Sequence, residues 1–336
     1  MEVTILKVAE RAKVSVSTAS RVLNGGTKGM RKDAARRASM VLKAAKELGY
    51  SPNPAARSLV TRRSSTIGLI TTELNNPVRS KFIEELRVTA LESGFKLLVS
   101  GMRGNDDILP ILNSTVAQRV DGLILGNIPP GAVVRINELC KKGLPVVSFG
   151  QAANVGWDHF NIDYRNMVEK LTRHMITVHG ARKNVFIGLD VACARIEGYK
   201  SAMKEAGLQD NIELWMTSEY DLAAGQKIVN KYIHGDNLPE AIICHNDLLA
   251  IGVIAGLRKK GLRVPGNIAV VGLDNIDMAE YVNPTLTTAG VDPTDLAMQV
   301  FKMLYERIGS EYAGEPGKIL CENKLFFRES CGCDCH

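Results

Sequence analysis

The sequence predicts an N-terminal all-α helix-turn-helix domain followed by a two-lobed α/β domain, with two doubly wound parallel sheets and a cleft between them. Short amphipathic helical patterns fill the first 50 residues, and apolar strand-like runs then alternate with helical patterns. Residues 1–63 carry a net charge of +10, whereas the remainder sums to −4. Basic residues concentrated in one small domain are typical of a nucleic-acid-binding module.

Length and composition are those of a globular protein. The chain has 336 residues, 45% of them apolar, which is enough for two or three domains. No run approaches the roughly 20 apolar residues of a membrane helix, and residues 1–13 lack a signal-peptide core. Seven cysteines, an odd number, fit reduced thiols better than a disulfide framework. We therefore expect a soluble, cytoplasmic protein with no membrane partner.

Two short helices with a tight break between them are predicted in the first 24 residues. Thr4 can cap the first helix, and Ser15 can cap the second, which runs through about Asn24. Lys13 and Val14 form the break. The residues expected to face inward are Ile5, Val8, Ala9 and Ala12 on the first helix and Val14, Ala19, Val22 and Leu23 on the second.

The outer face of the second helix carries short or forked polar side chains. The outward positions are Val16, Ser17, Ser20 and Arg21. A hydroxyl-rich N-terminal half suits reading of base edges in the major groove. Plain core packing of a helix pair would give a similar pattern, but the charge asymmetry favours the DNA-binding interpretation.

A basic helix and a very short helix complete the N-terminal region. The first spans Arg31–Leu48 and ends at Gly49. Its inward residues are predicted to be Ala34, Ala38, Val41, Leu42 and Ala45. The second begins at Asn53 and is too short to be stable without a partner. Its Leu59 would either enter the minor groove or dock on the lobe below.

The rest of the chain alternates strands and helices in two series. Strands are predicted at Ile67–Ile70, Lys96–Val99, Gly122–Leu125, Val146–Phe149, Val185–Gly188, Ala241–Cys244 and Ala269–Gly272. Helices are predicted at Phe82–Glu92, Tyr164–Val178, Arg195–Ala206 and Leu248–Lys259. Ligands bind at the carboxyl ends of parallel strands, so residues that follow these strands are the candidates for a pocket in the cleft.

Several segments together resemble the LacI/GalR family of transcription regulators over nearly the whole chain. They are Thr4 to Asn24, Gly49 to Asn53, Ala56 to Leu59, Thr66 to Ile70, Arg119 to Ile124, Gly143 to Val147, Asn246 and Asp247, Gly261 to Pro265, and Val271 to Asn275. The resemblance implies a periplasmic-binding-protein-like two-lobed domain and no enzymatic activity. It divides the chain into a helix-turn-helix domain (1–50), a hinge (51–63), an N-terminal effector subdomain (64–158 with 291–320), a C-terminal effector subdomain (159–290 with 321–330) and a cysteine-rich tail (331–336).

The resemblance also implies a homodimeric repressor that binds double-stranded DNA at a near-palindromic operator. The implied DNA contacts are Thr4, Val16, Ser17, Thr18, Ser20, Arg21, Asn24, Lys28, Ala56 and Leu59. The loop after Asn24 departs from the family because it is longer and basic. Lys28 therefore either contacts phosphate or belongs to a solvated face.

For the effector, the resemblance places Arg195, Asn246 and Asp274 in the cleft. Phe149 and Tyr220 either stack on a ring-shaped ligand or belong to the core. Arg79 lies where many relatives carry an aromatic residue, so it either favours an anion or points to solvent or across the dimer. The expected effector is a small molecule: a sugar, a sugar acid or a sugar phosphate.

The sequence gives no positive indication of a metal site or of a catalytic motif. The thiols of the tail, one residue apart, give cramped metal geometry, and His174 and His179 lack the four-residue spacing of a zinc helix. The sequence contains no phosphate-binding glycine loop and no nucleophile elbow. A transporter's solute-binding protein would lack the basic head, and a cofactor-dependent enzyme would carry a dinucleotide fingerprint. We therefore expect no metal and no cofactor.

Overall fold

The computed structural model describes residues 3–23, 32–50, 63–72, 74–102, 107–151, 155–189, 193–235, 237–309 and 314–333. The chain divides into two compact units, residues 1–66 with 116–121 and residues 67–115 with 122–336. The short helix predicted within the hinge, and with it Ala56 and Leu59, lies outside the described residues, as do Asn24, Lys28 and the end of the tail.

The described residues of the first unit form the helices α1 (Ile5–Arg11), α2 (Val16–Leu23) and α3 (Lys32–Leu48). They enclose a small core made of Val8, Ala9, Ala12, Ala19, Val22, Ala38, Val41, Ala44 and Ala45. The prediction that Leu42 faces inward is wrong, because 52% of Leu42 is exposed. Ala44 takes its place, since it lies three residues after Val41 on the same helical face.

The break between α1 and α2 is a Schellman motif. Lys13 has a φ of 52°, its N–H donates to the Glu10 carbonyl, and the Val14 N–H donates to the Ala9 carbonyl. The Ser15 hydroxyl accepts from the Thr18 N–H at 3.2 Å, which confirms the predicted cap of α2. The prediction that the Thr4 side chain caps α1 is wrong, because only its backbone carbonyl accepts helical N–H groups.

The second unit is two-lobed, and its first lobe is built on a six-stranded sheet in the order β11-β5-β4-β3-β1-β2. The strands are β1 (Thr66–Thr72), β2 (Lys96–Met102), β3 (Gly122–Gly126), β4 (Val146–Gly150), β5 (Asp158–Asn161) and β11 (Lys318–Leu320). The β1–β3, β3–β4, β4–β5 and β5–β11 pairs are parallel. The helices of this lobe are α4 (Pro77–Glu92), α5 (Ile108–Ala117), α6 (Val133–Lys141) and α11 (Pro293–Gly309).

The second lobe has a four-stranded parallel sheet in the order β7-β6-β8-β9. Its strands are β6 (Asn184–Leu189), β7 (Glu213–Thr217), β8 (Ala241–Cys244) and β9 (Ala269–Val271). Its helices are α7 (Tyr164–Thr177), α8 (Ala194–Glu205), α9 (Leu222–Tyr232) and α10 (Asp247–Lys259). Short antiparallel strands β10 (Thr288–Gly290) and β12 (Lys324–Phe326) pair beside it. The predicted two-lobed α/β architecture is confirmed.

The chain passes between the two lobes three times: after β5, between β10 and α11, and between β11 and β12. The predicted subdomain boundary between residues 158 and 159 is wrong, because it cuts strand β5. This strand pairs with β4 and β11, so the first segment of the first lobe continues through Asn161. Within the described part of the chain, no helix has both the length and the apolar character needed to cross a bilayer.

Candidate functional site

The outer face of α2 presents the polar side chains that the sequence singled out. Ser17 and Arg21 are exposed, Val16 is 40% exposed, and Thr18 and Ser20 are half-buried. Ala19 and Val22 on the opposite face are buried against α1 and α3. One face of the helix is therefore packed against α1 and α3, while the face that carries hydroxyl groups and Arg21 remains accessible.

Hydroxyl groups at the start of α2 form a small hydrogen-bonded network. The Ser15 oxygen lies 2.9 Å from the Ser17 hydroxyl and 2.9 Å from the Thr18 hydroxyl. Thr4, at the start of α1, is exposed as well. Basic side chains exposed on the same unit include Lys7, Arg11, Lys13, Arg21, Arg36, Arg37, Lys43 and Lys46. The unit thus combines short groups able to reach base edges with cations able to contact phosphates.

A cavity of about 310 Å³ lies between the lobes of the second unit. Its polar lining comes from both lobes and consists of Asn76, Arg79, Asn127, Gln151, Tyr164, Arg195, Tyr220, His245, Asn246 and Asp274. Its apolar lining includes Val78, Phe82, Ile162, Met167 and Leu296. The volume is at the small end of ligand pockets, which suits a ligand of about one ring.

Two arginines face this cavity, and each rests on an aromatic ring. The Arg195 guanidinium carbon lies 3.8 Å from the centroid of Tyr164, and that of Arg79 lies 4.8 Å from the centroid of Phe149. Both Nε atoms are buried and have no hydrogen-bond partner among the described residues. A buried cationic donor without an acceptor is costly, so this pair is suited to an anion entering the cavity.

The rest of the polar lining offers a carboxylate and amides. The Asn76 amide donates to Asp274 Oδ2 at 3.1 Å and so joins the two lobes across the cavity. Asp274 follows β9 and has a φ of 109°, while its N–H donates to the Ala289 carbonyl. Asn246 caps α10 by accepting from the Leu249 N–H at 2.9 Å. These groups suit the hydrogen bonding of ligand hydroxyls.

A neutral histidine completes the lining. The ring of His245 lies parallel to that of Tyr220 at 6.3 Å between centroids, and its Nδ1 is buried without a hydrogen-bond partner among the described residues. Burial, and then the positive charge of Arg195, hold the pKa of His245 well below its ordinary value. The imidazole is therefore uncharged at neutral pH and adds no cation to the two arginines.

Five of the six residues predicted to contact an effector line the cavity. They are Arg79, Arg195, Tyr220, Asn246 and Asp274. The prediction for the sixth, Phe149, is wrong. This residue is 1% exposed, packs on Phe82 with 4.5 Å between ring centroids, and has the Arg79 guanidinium group over its ring. As an aromatic residue within a buried strand it belongs to the core.

Sequence reasoning missed Asn76, Asn127, Gln151, Tyr164 and His245 as lining residues. Three of them carry a usable signal, because they directly follow the ends of β3, β4 and β8, where parallel strands open toward a ligand. Asn76 gives a different signal, since it caps α4 by accepting from the Val78 N–H at 2.9 Å.

The structure also changes the interpretation of two histidines that the sequence separates. His174 and His179 lie with Cys331 and Cys333, and the ligand atoms of all four residues are within 4.8 Å of one another. The four-residue spacing rule does not apply here, because α7 ends at Thr177 and His179 lies beyond it. The two histidines, which the sequence spacing did not place on one face, therefore lie together beside two cysteines.

A helix-turn-helix unit with an accessible polar helix, together with a two-lobed unit that encloses a polar cavity, defines a transcription regulator with a ligand-binding domain. Residues 4–53 match the family of bacterial regulatory proteins called the lacI family, and residues 173–331 match the periplasmic binding protein-like domain. The transcriptional repressor PurR of Pasteurella multocida (strain Pm70) is 31% identical over 338 residues, covering 97% of this chain and 98% of that protein. The chain belongs to the lacI family and is a DNA-binding transcription regulator, not an enzyme.

Solved structures share this architecture. The lac repressor dimer bound to operator and the anti-inducer ONPF aligns with a TM-score of 0.83 and 22% identity, covering 98% of this chain and 99% of that chain. A LacI family transcriptional regulator from Enterococcus faecium with bound ribose aligns with a TM-score of 0.70 and 26% identity, covering 79% of this chain and 98% of the other. The first likeness confirms the fold.

Proposed function

We propose that this protein is a repressor that binds a palindromic operator as a homodimer, and that its effector is a small polyhydroxylated anion held in the cavity. A sugar acid or a sugar phosphate has this chemistry. One observation carries the proposal: Arg79 and Arg195 both face the cavity with buried Nε atoms that lack partners among the described residues.

The arginines favour an anion over a neutral sugar. A carboxylate or phosphate accepts paired N–H donors from guanidinium groups, and these charge-assisted bonds are about twice as strong as neutral ones. The aromatic rings of Tyr164 and Phe149 hold both guanidinium groups in place before the ligand arrives. A neutral sugar would leave at least part of this donor set without a charged acceptor.

The remaining lining favours hydroxyl groups on the same ligand. Asp274 and Asn246 follow strands of the second lobe, and Asn127 and Gln151 follow strands of the first. Acceptors and amides at these positions discriminate between ligands, because a missing hydroxyl leaves a buried polar group unpaired. A ligand with its anionic group on the arginines and its hydroxyls on Asp274 would satisfy both sets.

The DNA-binding part of the proposal rests on α2. Val16, Ser17, Thr18, Ser20 and Arg21 would contact the operator through the major groove. Thr4, Asn24, Lys28, Ala56 and Leu59 would contribute further contacts by family resemblance, although the last four lie outside the described residues. Paired half-sites would mirror the two-fold symmetry of the dimer.

Effector and operator would be coupled through the angle between the lobes. A ligand that bridges Arg79 of the first lobe and Arg195 of the second would bind more tightly to one angle between the lobes than to another. Such a difference in affinity is required for a ligand to change the affinity of the protein for DNA. A coupling free energy of about 1–3 kcal/mol would change operator affinity roughly 5- to 150-fold.

The effector is tested by calorimetric titration of the full chain with sugars matched in ring size, such as glucose, glucuronate and glucose 6-phosphate. We expect heat from at least one anion and none from its neutral counterpart. Arg79→Gln and Arg195→Gln should each weaken that binding at least tenfold, while Arg87→Gln, which removes an exposed ion pair on α4, should not. Tighter binding of the neutral sugar would contradict the anionic effector.

The operator is tested by selecting bound sequences from a random duplex library. We expect an inverted repeat. Arg21→Ala should reduce the preference for the selected sequence over a scrambled duplex, by about 1–3 kcal/mol. Lys28→Ala should weaken binding to both duplexes alike and lower the salt dependence. Equal effects of the two substitutions on both duplexes would remove Arg21 from base recognition.

A further inference from the structure

Four potential metal ligands converge at the end of α7, away from the interlobe cavity. His174 lies in the last turn of α7, and His179 follows the helix. Cys331 and Cys333 belong to the C-terminal segment, which forms a short 3₁₀ turn at Glu329–Cys331. None of the four lines the cavity. The cluster therefore has no part in the effector site.

Four of the six distances between the ligand atoms are close to those around one tetrahedral ion, and all six are within 4.8 Å. His174 Nε2 lies 3.1 Å from His179 Nε2, 3.8 Å from Cys331 Sγ and 3.4 Å from Cys333 Sγ. His179 Nε2 lies 3.5 Å from Cys333 Sγ. Zinc bonds of about 2.0–2.1 Å to nitrogen and 2.3 Å to sulfur place tetrahedral ligand atoms roughly 3.3–3.8 Å apart. The four atoms thus already surround a space of the right size.

The backbone explains how residues distant in the chain reach this arrangement. Gly332 has a φ of 101°, a left-handed conformation that turns the chain between the two cysteines. A Cβ atom at Gly332 would lie 3.4 Å from the ring of His179. The His174 ring stacks on Phe327 with centroids 4.1 Å apart and planes at 28°. The cluster is therefore packed on two sides by the segment that supplies the thiols.

We propose that His174, His179, Cys331 and Cys333 form a structural zinc site that joins the end of α7 to the C-terminal segment. Two thiolates and two imidazoles in a tetrahedral arrangement are the ligand set that zinc prefers, and calcium and magnesium bind oxygen instead. On binding, the two thiols lose their protons to solvent and each histidine coordinates through a neutral Nε2. The site is closed, because four protein ligands leave no position for a substrate.

The ion would link the C-terminal segment, which follows the third connection between the lobes, to α7 of the second lobe. After β12, the C-terminal segment lies along the second lobe, where the Ser330 hydroxyl donates to the Val270 carbonyl at 2.6 Å. The ion adds a cross-link from this segment to α7, a helix whose first residue, Tyr164, lines the cavity. Metal binding should therefore stabilise the second lobe without adding any contact to the effector in the cavity.

Metal binding is measured on the full chain, reduced and freed of metal with a chelator. We expect about one equivalent of Zn²⁺ to bind per chain and to raise the thermal unfolding temperature. Co²⁺ should bind at the same site and give the thiolate charge-transfer absorption and the intense visible bands of a tetrahedral ion. Absence of a stoichiometric complex, or an octahedral oxygen-type Co²⁺ spectrum, would overturn the proposal.

Variants identify the ligands. Cys333→Ser and His179→Gln should each lose most of the bound Zn²⁺ and the tetrahedral Co²⁺ spectrum, while their metal-free unfolding temperatures match that of the metal-free parent. The matched controls Cys140→Ser, on α6, and His234→Gln, an exposed histidine after α9, should bind metal like the parent.

A further variant separates this site from the last residues of the chain. Cys335→Ser combined with His336→Gln, at positions outside the described residues, should retain the complex. Loss of metal in that variant together with retention in His179→Gln would show a tail site and overturn the assignment. Re-formation of a Cys331–Cys333 disulfide in reduced protein incubated with Zn²⁺, in place of the metal complex, would overturn it as well.

Discussion

The guanidinium carbon of Arg195 lies 3.8 Å from the centroid of the Tyr164 ring. Tyr164 is the first residue of α7 and Arg195 is the second residue of α8, so packing of these two helices determines where the cation stands. The Nε of Arg195 is buried without a hydrogen-bond partner among the described residues, and the Tyr164 ring lies against its guanidinium group. The position of the cation therefore depends on an aromatic face.

Replacing that face should weaken effector binding. In Tyr164→Leu the cation–π contact is lost, and we expect anion affinity to fall by about 0.5–2 kcal/mol. Tyr164→Phe keeps the ring and should retain the affinity. Calorimetric titration of both variants with the anion identified for the parent measures the difference. Equal losses in Leu and Phe would assign the effect to the Tyr164 hydroxyl instead.

The buried ion pair between Asp158 and Arg307 should contribute strongly to the stability of the first lobe. Arg307 donates to both carboxylate oxygens, at 2.7 and 2.8 Å, and Asp158 also accepts from the Gly317 N–H at 2.7 Å. Asp158→Ala leaves the Arg307 charge without its acid, so we expect a loss of about 3–5 kcal/mol. Glu84→Ala removes an exposed ion pair and should change stability little. Urea unfolding of both variants tests the contrast, which fails if their losses are similar.

Close packing of α9 and α10 should not tolerate a methyl group at Gly252. A Cβ there would overlap the Leu222 carbonyl oxygen and lie 2.9 Å from its carbon. We expect Gly252→Ala to destabilise the protein by about 1–3 kcal/mol through forced separation of the helices. Gly309→Ala, with no atom within 4 Å of the added Cβ, should leave stability unchanged or raise it by up to about 1 kcal/mol. Thermal unfolding distinguishes the two, and a stable Gly252→Ala variant would contradict the helix spacing.

Acidification should destabilise the second lobe through His245. Its pKa is depressed in the folded protein, so the unfolded chain takes up the proton first. The free energy of unfolding is therefore unaffected by His245 above the pKa of histidine in the unfolded chain, about 6.5. Below that pH it decreases, by at most about 1.4 kcal/mol per pH unit. We expect His245→Gln to lose less stability than the parent between pH 7.5 and 5.5 in urea titrations.

Two comparisons make that measurement specific. His234 is exposed, so His234→Gln should retain the pH dependence of the parent. Burial, and then Asp274, raise the pKa of Asp247, so this carboxyl acts in the opposite sense and stabilises the folded state as the pH falls. The contribution of His245 is therefore measured as the difference in pH dependence of stability between the parent and His245→Gln. An unchanged slope in His245→Gln would refute the assignment.

The sequence predicted most strands of both sheets, because buried parallel strands are nearly continuous apolar runs, but it missed β5, β7 and β11. Strand β5 was missed because its polar residues are satisfied by partners far along the chain. Asp158 pairs with Arg307, and His159 lies with its Nδ1 2.8 Å from the Ser148 hydroxyl. No local pattern reveals these partners, and the predicted subdomain boundary was misplaced for this reason.

Individual side chains were predicted less reliably than elements. Residues after strand ends were expected at the pocket, and Arg79, Arg195 and Asp274 do line it. Phe149 was misassigned because an aromatic residue at a strand end serves the core or the ligand equally well. The His174 and Cys331 cluster was missed because its members meet only when the C-terminal segment returns to α7.

The three passages between the lobes have a consequence for synthesis of the chain on the ribosome. The four strands of the second sheet lie within residues 184–271, a single uninterrupted stretch. The first sheet instead needs β11 at its edge, and α11 must cover β3 and β4. Both elements are translated after residue 292, although this lobe begins with residue 67. The sheet that starts first is thus completed last, and its apolar face must stay out of contact with other nascent chains until almost all of the protein has emerged.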